Sequence, residues 1–113
     1  MNIQIFATKK SSDGRKAERW FKERRIRFQY IDMNQKGMSA GELRSVCQAV
    51  GGLDALIDPN AKDQDTLALI RYLSDEDRFY KLLDNPQIMR LPVVRNGRQA
   101  TVGYSPDVWS GWE

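Results

Sequence analysis

Residues 2–32 change hydrophobic period twice, and that switch constrains the fold more than any other feature of the chain. Asn2–Phe6 sets Ile3 and Ile5 in alternation with partly polar neighbours, the pattern of a short strand. From Asp13 or Gly14 to Arg25 the apolar residues are Ala17, Trp20 and Phe21, spaced i, i+3, i+4, which predicts a helix with one narrow buried stripe. Arg27–Asp32 alternates again and predicts a second strand. A strand, a helix and a strand in so short a span form a βαβ unit with parallel strands and a right-handed crossover.

The rest of the chain extends this start. Ser39-Ala40-Gly41-Glu42 has the form of a capping box, and Leu43, Val46, Cys47 and Val50 follow at helical spacing until Gly51-Gly52 stops the helix. A short helical turn is expected at Leu53–Ile57, then the breaker Asp58-Pro59-Asn60, then helices at Thr66–Leu73 and Glu76–Leu83, the second capped by Ser74. After Asn85-Pro86, two β-rich runs joined by Asn96-Gly97 predict a hairpin with a type I′ turn, and a last short helix falls near Pro106–Trp112. Trp109 and Trp112 read as packing residues of that helix. The order is that of a thioredoxin-like α/β fold, βαβ…ββα on a mixed four-stranded sheet, with a helical insert at about residues 39–84.

At 113 residues the chain is expected to be a single domain spanning 1–113, and 41% hydrophobic with 29% charged residues is a globular composition. Its apolar runs are too short to cross a membrane, and the first residues lack the basic start of a signal peptide, so a cytoplasmic location is expected. One cysteine and no histidine exclude an intramolecular disulfide, the usual zinc sites, and Ser–His or Cys–His dyads. Metal ligation and a resident cofactor are not expected. Residues 1–30 carry nine cations against three carboxylates, a formal +6, so the remaining 83 residues sum to −3. That face reads first as a solvated helix face, and it is compatible with nucleic acid or an acidic protein partner. Without aromatic residues interleaved on its polar side, nucleic acid is not the expected one.

The strand-to-helix loop Thr8–Gly14 is the candidate site. Ser11, Ser12 and Asp13 precede the helix and read first as its N-cap, worth about 1 kcal/mol. The same helix start, with Lys9, Lys10 and Arg15 around it, can also hold an anion such as phosphate or sulfate. Cys47 lies on the apolar stripe of its helix and reads as a small buried hydrophobe. Pro92 opens a strand, where proline is tolerated.

Three stretches carry a resemblance. Arg15-Lys16-Ala17 with Trp20-Phe21 and Ile26-Arg27-Phe28, then Leu91-Pro92-Val93-Val94, then Val102-Gly103-Tyr104, resemble in order and spacing the ArsC/Spx-like proteins, glutaredoxin-type arsenate reductases and their regulatory relatives. The resemblance covers the whole chain. It implies a thioredoxin-like fold, a cis bond at Leu91-Pro92, and a reactive cysteine in the loop after the first strand, used with glutaredoxin or as a redox switch in regulators that bind RNA polymerase. Placed on that motif, the reactive cysteine falls at Ser11 and the second cysteine of a CxxC pair at Gly14.

Thiol chemistry is therefore absent from the loop, whether Ser11 is native or stands in place of a cysteine. The arginine set is also thinned: Leu91 precedes the proline, with Arg90 one residue earlier, and Lys62 is the sole cation of the Asp58–Lys62 segment. The expectation is a redox-inactive binding or regulatory module. Two alternatives stand beside it: an arsenate-reductase-like thiol oxidoreductase whose nucleophile is missing, and an Spx-like polymerase-binding regulator. The expected ligand set is Lys9, Lys10, Ser12, Gly14, Arg15, Arg90 and Pro92 around Ser11. Glutathione is the ligand or co-substrate that the resemblance implies.

Overall fold

The two parallel strands at the start of the chain form one edge and the interior of a four-stranded sheet. This is seen in a computed structural model that describes residues 1–112. The elements are β1 (Ile3–Ala7), α1 (Ser12–Glu23), β2 (Phe28–Asp32), α2 (Ala40–Val50), α3 (Gln64–Ile70), α4 (Asp75–Asp84), β3 (Val93–Asn96), β4 (Gln99–Val102) and α5 (Pro106–Ser110). Short 3₁₀ turns occupy Leu53–Leu56 and Pro86–Ile88. Strand order is β2-β1-β3-β4; β1 runs parallel to β2 from Ile3↔Phe28 to Ala7↔Asp32, and antiparallel to β3 from Ile3↔Asn96 to Phe6↔Val93.

Alternation along the strands divides the interior in two. On one face Ile3, Ile5, Ala7 and Val94 pack with Ala17, Trp20 and Phe21 of α1 and with Trp109 of α5. Trp109 is buried; its ring centroid lies 5.4 Å from that of Trp20 in an edge-on arrangement, and its indole N–H donates to Thr101 Oγ1 at 2.8 Å. Phe6, Ile31 and Val93 face the other way, onto Leu43, Val46, Leu67, Ile70 and Leu82 from the three helices between β2 and β3.

Local chemistry places most boundaries. The capping box at Ser39 is formed in both directions, with Glu42 N donating to Ser39 Oγ at 3.1 Å and Ser39 N donating to Glu42 Oε1 at 2.9 Å. α1 ends at Glu23, short of the predicted Arg25, because Arg25 takes a left-handed φ of 57° and Ile26 N closes onto Phe21 O. α3 begins at Gln64 rather than Thr66 because Asp63 caps it, accepting from Thr66 N at 3.1 Å and Thr66 Oγ1 at 2.6 Å. Those donors, with Gln87 Nε2, lower the Asp63 pKa.

The hairpin exists, but its turn lies one residue further on than predicted. Asn96 pairs with Gln99, so Gly97-Arg98 are the central residues, and only Gly97 has a positive φ (61°). That is the II′ pattern with glycine first, not I′.

One long-range stitch matters for the site. Ile57 bridges to Met89, while Asp58 N donates to Ile88 O at 2.8 Å and Arg90 N to Leu56 O at 2.7 Å. The segment after α2 is thereby tied to the segment leading into β3.

Candidate functional site

Where β1 leaves the sheet at Ala7, the chain turns at once, with Ser11 N donating to Thr8 O at 3.0 Å. Ser11 has extended backbone angles, and its Oγ accepts from Gly14 N at 3.0 Å, so it is the N-cap of α1. At Gly14 α1 lies close against β1. A Cβ added there would sit 2.9 Å from Ala7 Cβ and 3.1 Å from Ser11 Oγ. A second cysteine at this position requires the helix to move.

The loop opens onto a pocket of about 350 Å³. One wall is Lys10, Ser11, Ser12 and Asp13; the other is Asp58, Met89 and Leu91, carried there by the Ile57–Met89 stitch. A smaller, more enclosed neighbour of about 270 Å³ shares Thr8, Lys10, Met89 and Leu91 and runs on toward Asn34 and Gln87. One ammonium and two carboxylates line the main pocket, and Asp13 Oδ1 is also 3.9 Å from Lys16 Nζ. A small oxyanion would meet more negative than positive charge here. A ligand carrying both signs fits the lining better.

The structure divides the predicted ligand set. Lys10, Ser11 and Ser12 come together at the pocket. Gly14 is buried behind them. Arg15 donates through Nη1 to the carbonyl of Lys9, bracing the loop, and both residues line a different groove with Glu18 and Tyr30. Arg90 is exposed and outside the pocket; Pro92 is buried, and the Leu91-Pro92 bond is cis. Met89 and Leu91 belong to the proline segment that the resemblance sets facing Ser11, whereas Asp58 is a pocket residue outside the expected set. The one signal for Asp58 was its place in the segment after α2, where arginine was sought and carboxylate stands.

Cys47 lies elsewhere. It is half-buried in the last turn of α2 and borders a pocket of about 380 Å³ with Gly52, Asp54, Arg78 and Phe79. Burial pushes its thiol pKa up. Arg78 pairs across that pocket with Asp54 and, at 4.0 Å, with Asp75. Among the described residues no group of three or more His, Cys, Asp or Glu is placed to hold a metal ion, and no helix is long and apolar enough to cross a membrane.

Comparison with known proteins converges on one family. The sequence model of the ArsC family matches residues 6–111. The global transcriptional regulator Spx of Staphylococcus aureus is 23% identical over 107 residues, covering 93% of this chain and 82% of the regulator. Among solved structures, an ArsC family related protein from Bacteroides fragilis superposes with a TM-score of 0.84 at 18% identity, covering 100% of this chain and 98% of the other. The arsenate reductase from Vibrio cholerae gives 0.82 at 24% identity, covering 96% and 94%. These likenesses establish the thioredoxin-like α/β fold.

Proposed function

This chain belongs to the ArsC family, and on that premise we propose that it is a redox-inactive binding or regulatory module, with Ser11 in the place of the family's reactive cysteine. The observation that carries the reading is the position of Ser11 Oγ, 3.0 Å from the Gly14 amide at the start of α1. A sulfur at that point would have its thiolate stabilised by the helix start. An oxygen caps the helix but forms no disulfide, and the chain holds no histidine to draw off its proton.

What remains to such a site is binding. Glutathione, which carries an ammonium group as well as carboxylates, suits the mixed lining of Lys10, Asp13 and Asp58 better than phosphate or sulfate does. Titration of the isotope-labelled protein with millimolar glutathione, and separately with phosphate, is expected to shift the amides of Lys10–Asp13, Asp58 and Leu91 with glutathione first. Silence of those amides toward both compounds would overturn the ligand-binding reading.

A second reading, action through a protein partner as a transcriptional regulator, is favoured by the extent of the likeness to Spx, 82% of whose length is matched. RNA polymerase is the partner it implies. Its test is co-purification of polymerase with the tagged chain.

A further inference from the structure

We propose that the outer edge of β2 is a docking site for an extended acidic segment of a partner protein, which adds to the sheet as a fifth strand. This edge is separate from the Ser11 pocket and does not depend on the reading given to it.

The backbone phase of β2 carries the first part of the argument. β2 is an edge strand whose one sheet partner is β1. Met33 N donates to Ala7 O at 2.9 Å, so Met33 turns its peptide groups toward β1. By strand alternation Ile31 and Gln29 do the same, while Phe28, Tyr30 and Asp32 turn theirs outward. The Asp32 carbonyl is taken by the amides of Gln35, Lys36 and Gly37 at 3.0–3.3 Å. The N–H and C=O of Phe28 and of Tyr30 bond to no other element among the described residues. An uncovered row of this kind is what an added strand pairs with.

Space and charge supply the rest. Two grooves, each about 390 Å³, flank the edge and meet at Lys9 and Tyr30. One runs toward Arg15 and Glu18, the other past Asp32 to Lys36. A strand laid on the edge would therefore find room for its side chains in both grooves. The cations Lys9, Arg15 and Lys36 outnumber the carboxylates Glu18 and Asp32, and Glu18 is itself 3.8 Å from Lys22. Acidic residues at alternate positions complement this lining. A second copy of the chain does not, because edge-to-edge pairing would set two segments of formal charge +6 side by side.

The probe is a blocked Glu-Val-Glu-Val-Glu peptide, with its Lys-Val-Lys-Val-Lys counterpart as control. The acidic peptide is expected to shift the amides of Phe28 and Tyr30 and, at saturation, to slow their hydrogen exchange at least about tenfold. Lys36→Glu, on an exposed turn, is expected to weaken binding about threefold to fivefold with the fold unchanged. The proposal is overturned by unmoved Phe28 and Tyr30 amides, or by an equal response to the lysine peptide. It is overturned too if exchange slows when the protein alone is concentrated, since the occupant would then be a second copy.

Discussion

Ser11 and Cys47 stand at opposite ends of their helices. Ser11 caps the start of α1, beside the Gly14 amide and Lys10. Cys47 sits in the last turn of α2, its own carbonyl accepting from Gly51 N and Gly52 N, on a half-buried wall beside Phe79. A helix start favours a negative charge; a helix end and burial disfavour it. On the proposed reading, Ser11 stands where a thiolate would be stabilised, and the chain's one sulfur lies where it would not.

The strongest test of that contrast puts sulfur in both positions. In Ser11→Cys the introduced thiol is expected to titrate below the ordinary value of about 8.5 and to alkylate at pH 7 at least about tenfold faster than Cys47, as read by mass spectrometry. Cys47 should behave in the opposite way. Its folded pKa is raised by burial, so its alkylation keeps climbing through alkaline pH, and the folded state loses stability as pH rises past the range of the unfolded thiol. Equal rates at the two thiols would remove the distinction.

A smaller effect separates one cysteine from two. Gly14→Cys has to relieve the 2.9 Å approach to Ala7 Cβ, and a cost of about 1–3 kcal/mol is expected in denaturant unfolding. An unchanged midpoint would mean that α1 accommodates a CxxC pair as it stands. The smallest effect isolates the cap. Ser11→Ala is expected to cost about 1 kcal/mol, a fall in Tm of about 4 °C for a chain of this size. A larger loss would give Ser11 packing duties beyond its bond to Gly14.

What could be read in advance was whatever is decided within a few residues. The βαβ start, the Ser39–Glu42 box and the Ser74 cap depend on local spacing and local bonds, and each formed as expected. The hairpin was visible, but its turn moved one residue because strand register, not the Asn-Gly pair, chose the central positions. Asp58 entered the pocket through the Ile57–Met89 bridge, a contact between distant segments that no period encodes. Lys9 and Arg15 line a groove other than the Ser11 pocket, and the Arg15 bond to the Lys9 carbonyl depends on how β1 delivers the turn. Helical spacing put Cys47 on the inner face of α2; the pocket it borders leaves it half open.

The pairing of Trp20 with Trp109 gives the molecule an optical readout. Trp20 lies on the helix that starts at Ser11, with the Arg24 guanidinium 4.0 Å from its ring centroid, and it meets Trp109 edge-on. Trp109 is in turn fixed by its indole bond to Thr101. Both rings are packed in the cluster that α1 forms on the sheet, with Trp112 against it. A ligand that pulls on the start of that helix should alter intrinsic fluorescence, without any label, at wavelengths to which the pocket itself contributes nothing.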